Sequence, residues 1–157
     1  MRASRIAAVV VAAALIGAGA YLFWPRTPDN GAFGAPGDAA QPARGIEILI
    51  RERPDGRMYF LPDAIEVRRG EQVRFSVKNE SEKPHYLLVA PTTDITRAMA
   101  QLRGNPRGTL PAPNSVRVGP SESGEVFWRF TRAGEMEFSS VLPGDREAGL
   151  YGRLVVR

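Results

Sequence analysis

The sequence predicts an all-β sandwich with one short helix, preceded by an N-terminal apolar helix. Three observations support this: apolar and polar residues alternate from residue 46 onward, turn signals recur at short intervals, and a long apolar run lies near the N-terminus. The chain has 157 residues, of which 43% are hydrophobic, and this suits one domain with a short extra segment. The net charge of +4 is mild and its basic residues are scattered, so we expect no nucleic-acid partner.

Residues 1–24 are predicted to form a membrane anchor or a signal peptide. Arg2 and Arg5 precede an apolar run over residues 6–24, which as a helix would cross the ~30 Å of a hydrocarbon core. The positive-inside rule places the N-terminus in the cytoplasm and the rest of the chain outside. An Ala-Gly-Ala processing motif ends at Ala20, so cleavage after that residue stays open as the alternative.

Residues 25–44 are rich in Pro, Gly and Ala and show no apolar period. This composition is typical of a flexible linker. We therefore expect the folded domain to span residues 45–157.

The strands of this domain are predicted from residues that alternate between apolar and polar. Val73, Phe75 and Val77 are apolar while the residues between them are polar, which is the pattern of a half-buried strand. The same alternation occurs around Ile46, Ile48 and Ile50, around Val126, Trp128 and Phe130, around Met136 and Phe138, and around Leu154 and Val156. Turns are expected at Asp55-Gly56, Arg69-Gly70, Gly119-Pro120 and Ala133-Gly134.

One helix is predicted over residues 93–102. Ile95, Met99 and Leu102 form a single apolar stripe at helical spacing, which indicates packing rather than a cofactor site. Residues 103–114 are rich in Gly and Pro and are expected to form a loop.

Two separated stretches resemble the cupredoxin family. The first, FLPDAIEVRRGEQVRFSVKNESEKPHYLLV, is similar to the segment that leads to the first copper-binding His. The second, GEVFWRFTRAGEMEFSSVLPGDREAGLYGRLVV, looks like the closing stretch of plastocyanin- and azurin-like proteins of the bacterial periplasmic copper-tolerance type. The resemblance covers the whole predicted domain and implies a Greek-key β-sandwich.

The resemblance implies four ligand positions for a blue, type 1 copper ion. The first His position falls on His85, which is the only histidine in the chain, and the Cys position falls on Ser140. The second His position falls on Asp145 and the axial Met position on Leu150. Such a centre needs two imidazoles, a thiolate and a weak axial thioether. Because three of these four ligands are missing, we expect a degenerate copper site without a type 1 centre, and no resident cofactor.

Three interpretations of this site follow if His85, Ser140 and Asp145 converge. Asp145 pairs with His85 while Ser140 satisfies the remaining hydrogen bonds, so that polar contacts replace the metal. Alternatively, His85 and Asp145 bind copper or zinc in a non-standard way, with Glu147 as a third ligand or Met58 as a soft ligand for Cu⁺. A Ser-His-Asp hydrolytic triad is disfavoured because the chain has no Gly-x-Ser-x-Gly motif.

The sequence thus favours a non-enzymatic accessory protein, tethered to the inner membrane with its domain in the periplasm, or soluble in the periplasm if cleaved. Its expected partners are the membrane, through the N-terminal helix, and a periplasmic or inner-membrane protein. It would bind that protein or assist copper handling. The alternative is a copper-binding or copper-transfer protein that uses His85 with non-standard ligands.

Overall fold

The computed structural model describes residues 33–157. The N-terminal anchor or signal peptide predicted for residues 1–24, and the cleavage point at Ala20, lie outside the described residues. Within residues 33–157, no helix has the length and apolar character that a membrane-spanning segment requires.

Two five-stranded sheets form the domain. In the first sheet the strand order is β1-β8-β5-β2-β3, and in the second it is β4-β10-β9-β6-β7. The first sheet contains β1 (Gly34–Pro36), β2 (Arg44–Glu52), β3 (Met58–Leu61), β5 (Gln72–Asn79) and β8 (Ser123–Phe130). The second sheet contains β4 (Ala64–Val67), β6 (His85–Ala90), β7 (Ser115–Val118), β9 (Gly134–Ser139) and β10 (Tyr151–Val156). The prediction of a mostly β domain is therefore confirmed.

The core lies between the sheets and is built from the residues that alternate in the sequence. Val73, Phe75 and Val77 of β5 are buried, while the polar residues between them face outward. The aromatic rings of Phe60 and Phe138 pack across the core with centroids 5.4 Å apart. Burial of such large apolar side chains is the main stabilising contribution to a domain of this size.

A 13-residue helix, α1 (Thr92–Gly104), packs against the second sheet. Its Ile95, Ala98 and Leu102 are buried in a second apolar cluster with residues of β6. This cover explains why all six residues of β6 are buried, because helix and core enclose the strand from both faces. The predicted helix and its packing role are confirmed. The structure also contains a second, four-residue helix, α2 (Asp145–Ala148), which the sequence did not predict.

The structure differs from the sequence prediction in the segment expected to be a flexible linker. Strand β1 pairs with β8 in an antiparallel register, with Gly34 opposite Phe130. After it, the amide of Asp38 donates to the side-chain oxygen of Gln72 at 3.0 Å, and β2 begins at Arg44. The domain thus includes residues 34–44. Backbone pairing needs no apolar period, and a three-residue strand is too short to show one.

Candidate functional site

His85 is the first residue of β6, at one end of the sandwich. This strand lies between β9 and β7, and His85 pairs with Val118 of β7. Only 1% of its surface is exposed. Because a buried imidazole must have partners for its ring nitrogens, the neighbours of His85 determine what it can do.

Ser140 and Asp145 reach the same end of the sandwich from the loop that follows β9. Ser140 comes directly after that strand, and Asp145 begins α2. Backbone hydrogen bonds close the loop on Leu150: the amide of Ser140 donates to the carbonyl of Leu150, and the amide of Leu150 donates to the carbonyl of Asp145, both at 3.0 Å. These backbone hydrogen bonds therefore fix the positions of Ser140 and Asp145.

Gly149 allows this loop to turn back toward β10. Its φ is 114°, and a Cβ atom at this position would lie 2.5 Å from the carbonyl oxygen of Met58. A residue with a side chain would be strained by both the dihedral angle and the contact. The path of the loop that carries Asp145 thus requires a glycine at position 149.

His85, Ser140 and Asp145 form one hydrogen-bonded cluster. The Oδ2 atom of Asp145 lies 2.8 Å from Nδ1 of His85 and 2.5 Å from Oγ of Ser140. The hydroxyl of Ser140, which donates to Asp145, also accepts from the amide of Tyr86 at 3.0 Å. The structure therefore brings together the three polar residues that the sequence analysis placed at one site.

Ser81 and Asn79 complete the cluster, and the sequence analysis missed both. Oγ of Ser81 lies 2.9 Å from Nε2 of His85. The side-chain oxygen of Asn79 accepts from the amide of Ser81 at 2.9 Å, and its nitrogen donates to the carbonyls of Lys83 and Gly119 at 2.7 and 2.9 Å. One signal was available: Asn79 continues the buried phase of β5, where a polar residue must find buried partners.

Ser81, His85 and Asp145 are connected in the order of a hydrolytic triad. However, Ser81 is buried, and its own amide is already bonded to Asn79. The nearby amide of Lys83 donates to the Ser81 hydroxyl at 3.3 Å and so does not face a substrate. A substrate carbonyl would thus find neither access to the hydroxyl nor these two amides as oxyanion donors.

A salt bridge attaches the loop to the second sheet. Nη1 of Arg146 lies 2.6 Å from a carboxylate oxygen of Glu137 on β9, and the guanidinium stacks on Tyr151 at 4.9 Å from its ring centroid. Burial raises the pKa of Glu137, but hydrogen bonds from Arg146 and Thr92 outweigh this effect, so the pKa lies below its ordinary value. Glu137 therefore stays ionised and holds α2 in place.

Two curated proteins are similar to nearly the whole chain, although no family model matches it. The copper-resistant cuproprotein CopI of Rubrivivax gelatinosus is 37% identical over 140 residues, which cover 89% of this chain and 80% of that protein. CopI of Pseudomonas aeruginosa is 34% identical, with 96% and 95% coverage. The chain belongs to the CopI family. The cupredoxin resemblance of the copper-tolerance type is thereby confirmed.

Solved structures similar to this CopI-family chain share the cupredoxin fold. Auracyanin B has a TM-score of 0.62 at 20% identity, covering 79% of this chain and 96% of that one. Auracyanin A of Chloroflexus aurantiacus, described as a blue copper protein, has a TM-score of 0.57 at 21% identity, with 74% and 100% coverage. At these identities the likeness establishes the fold alone.

In this CopI-family member, the side chains at the four positions that the cupredoxin resemblance assigns to copper ligands do not fit a type 1 copper ion. Ser140 offers a hydroxyl instead of a thiolate, and the chain has no Cys at all. Asp145 offers a carboxylate instead of an imidazole, and Leu150 is buried in the apolar core. Both ring nitrogens of His85 are already hydrogen-bonded. This set lacks the soft sulfur donors on which the geometry of a blue copper site depends.

The sequence suggested Glu147 as a third ligand for a non-standard metal site, beside His85 and Asp145. Glu147 is exposed on α2, and within residues 33–157 no three His, Cys, Asp or Glu side chains converge on a common point. Glu147 does not join His85 and Asp145 in such a group, and its role as a third ligand stays a prediction. Met58 belongs to the apolar core cluster. The role of His85 and Asp145 in binding a metal stays a prediction.

Proposed function

We propose that this protein is a non-enzymatic accessory protein of copper handling that lacks a type 1 copper centre and acts by binding a partner protein. Its cupredoxin domain would serve as a scaffold, held at the inner membrane by the N-terminal segment and located in the periplasm. The names of the two CopI relatives, copper-resistant cuproproteins, support the process.

The observation that carries this proposal is the closed hydrogen-bond network at the copper position. Four polar side-chain atoms at this position are engaged in hydrogen bonds with one another or with Ser81: both nitrogens of His85, the Oδ2 atom of Asp145 and the hydroxyl of Ser140. A metal would have to displace these bonds while gaining only hard oxygen donors and one imidazole. Such donors suit Cu²⁺ but not Cu⁺, so the set is poor for a centre that must hold copper in both oxidation states. A site that already satisfies its polar groups needs no metal for folding.

Copper titration of the purified full-length chain tests the absence of a type 1 centre. We expect Cu²⁺ to produce no intense blue absorption, and neither Cu⁺ nor Cu²⁺ to bind in a way that His85→Ala abolishes. The Rubrivivax gelatinosus relative, named a cuproprotein, is the matched positive control. Stoichiometric binding that His85→Ala removes would instead favour the alternative function, copper binding or transfer through His85 with non-standard ligands.

Growth of the source bacterium in medium that contains copper tests the proposed role in copper handling. We expect deletion of the gene to lower copper tolerance, and a Ser140→Ala chain to restore it when its protein level matches the wild type. Tolerance that is the same with and without the gene would contradict a role in copper handling.

A further inference from the structure

Two neighbouring turns at the end of the sandwich opposite His85 carry exposed arginines. Arg68 and Arg69 lie in the turn between β4 and β5, and Arg132 lies in the turn between β8 and β9, shortly after Arg129 near the end of β8. All four side chains are exposed. We call the surface formed by Arg68, Arg69, Arg129 and Arg132 the arginine end.

Backbone hydrogen bonds hold the turns of the arginine end in place. The amide of Glu71 donates to the carbonyl of Arg68 at 3.0 Å, and the amide of Phe130 donates to the carbonyl of Glu71 at 2.9 Å. The amide of Arg69 donates at 2.6 Å to the carbonyl of Arg157, which directly follows β10 of the other sheet. Because the backbone is already fixed, only the arginine side chains lose freedom when an anion binds.

The positive charge of the arginine end is not neutralised among residues 33–157. None of its four arginines takes part in an ion pair there. The guanidinium of Arg129 donates to a neutral amide, the side-chain oxygen of Gln72, at 3.2 Å. Asp38, whose backbone amide also donates to Gln72, is one carboxylate on this side of the domain. The glutamates near these turns already have other arginine partners: Glu66 with Arg157, Glu71 with Arg44 and Glu135 with Arg153.

The chemistry and spacing of these arginines indicate what the surface binds. A guanidinium presents a planar set of donors that matches the oxygens of a phosphate group. Each of the two turns connects one sheet with the other, and packed sheets lie ~10 Å apart. The four guanidinium groups are therefore spread over a face and do not converge on one point. A single phosphate ion can contact one or two of them, whereas a layer of phosphate groups can contact all four.

The composition of the arginine end favours a layer of lipid headgroups over a protein. The centre of a protein interface is apolar or aromatic. Within residues 33–157 the large hydrophobic side chains that are exposed are Leu61 and Tyr151, and neither lies in these turns. Phe33, whose carbonyl accepts from the amide of Thr131, packs against the core cluster. An anionic lipid surface requires only positive charge, and each Lys or Arg near it strengthens binding about fivefold.

We infer that the arginine end docks the folded domain onto a membrane surface that contains anionic phospholipids. This contact uses residues 33–157 alone and is independent of the partner binding proposed above. It orients the domain, because the His85 cluster lies beyond the other end of the eight-residue strand β5. The cluster therefore faces away from the headgroups, at a distance of roughly 25 Å.

Amide NMR of the labelled full-length chain on lipid nanodiscs tests this contact. The discs consist of phosphatidylcholine, with or without phosphatidylglycerol, and some headgroups carry a gadolinium chelate that broadens nearby amides. We expect residues 68–71 and 131–133 to broaden most on discs that contain phosphatidylglycerol and to broaden less on discs that lack it. High salt should remove this difference, because salt screens exposed charges.

Neutralising one arginine in each turn tests the assignment to this surface. Arg68→Gln with Arg132→Gln should lower the equilibrium constant for docking about 25-fold, since each arginine contributes about fivefold. The matched control, Arg103→Gln with Arg107→Gln, removes the same charge from exposed residues on either side of Pro106, at the other end of the domain, and should dock like the wild type. The N-terminal segment is identical in all samples, and the amide spectra show that both variants are folded.

Four results would overturn the inference. Equal broadening on both kinds of disc would show that anionic lipid is not recognised. Equal weakening by both double variants would show that net charge, and not these turns, controls docking. Shifts of the same amides by inorganic phosphate, with no difference between the discs, would make a small anion the ligand. A peptide of Glu residues that binds these turns more tightly than phosphatidylglycerol would make an acidic protein the occupant.

Discussion

The carboxylate of Asp145 accepts hydrogen bonds at one oxygen from two buried side chains, His85 and Ser140. An unpaired buried polar group costs about 1–3 kcal/mol. The carboxylate of Asp145 avoids this cost for both of its donors and so stabilises the folded domain. Nε2 of His85 has its own partner in Ser81, and the hydroxyl of Ser140 also accepts from a backbone amide. At the scale of single residues, the position that the family resemblance assigns to copper therefore contains a polar network in which each member depends on the next.

Replacing Asp145 by alanine should strongly destabilise the domain. The variant leaves Nδ1 of His85 and the hydroxyl of Ser140 without an acceptor in a buried site, and we expect a loss of about 2–4 kcal/mol in the free energy of unfolding. Urea unfolding of both chains measures it. Glu147→Ala is the control, because Glu147 is on the same short helix but exposed, and its effect should stay within about 0.5 kcal/mol. Equal losses in the two variants would show that the network contributes nothing specific.

Helix α2 is too short to be stable by itself and is held by its surroundings. A helix of four residues lies far below the ~12 residues at which isolated helices become marginally stable. Glycines in the left-handed region flank it on both sides, at Gly144 and Gly149. Arg146 bonds it to Glu137 on β9. At the scale of elements, the position of Asp145 thus depends on the turns at the two glycines and on the contact with β9.

The bond between α2 and β9 should make stability depend on pH in the acid range. The folded-state pKa of Glu137 lies below its ordinary value near 4.5. The ion pair between Arg146 and Glu137 therefore contributes its full stabilisation above the ordinary pKa of Glu137. This stabilisation is lost as pH falls through the lower, folded-state pKa. We expect Glu137→Gln to cost about 1 kcal/mol at neutral pH and little in strong acid, measured by urea unfolding across pH. Glu135→Gln on the same strand, whose partner Arg153 is exposed, is the control and should cost less at neutral pH, because exposed ion pairs contribute little. The same cost of Glu137→Gln at all pH values would contradict this assignment.

The two flanking glycines should respond differently to alanine. Both have positive φ, 87° at Gly144 and 114° at Gly149, but only the second would place a Cβ against backbone, 2.5 Å from the carbonyl of Met58. Gly144→Ala should cost about 1–2 kcal/mol from the dihedral angle alone, whereas Gly149→Ala should cost about 3 kcal/mol or more because strain and clash add. Thermal unfolding of both variants makes the comparison, and equal costs would mean that the loop moves freely away from Met58.

At the scale of the whole molecule, the sequence predicted the features that repeat along the chain. Alternation located β5, β8, β9 and β10, because each of these strands has one buried face, which imposes a period of two. Strand β1 has three residues and could not show a period, since its pairing uses the backbone alone. The Asp145 and Ser140 positions came from family resemblance. Ser81 was missed because nothing local in the sequence shows that a turn hydroxyl meets a histidine four residues later.

The architecture predicts that a blue copper centre can be rebuilt in this domain. Oδ2 of Asp145 already lies 2.5 Å from Oγ of Ser140 and 2.8 Å from Nδ1 of His85. Ser140→Cys, Asp145→His and Leu150→Met together would supply the thiolate, second imidazole and axial thioether that such a centre needs, and Leu→Met conserves core volume. We expect intense blue absorption on adding Cu²⁺ to the triple variant. The variant with only Asp145→His and Leu150→Met should stay colourless, since it lacks the thiolate. A folded triple variant that never turns blue would show that these four positions do not correspond to a copper site.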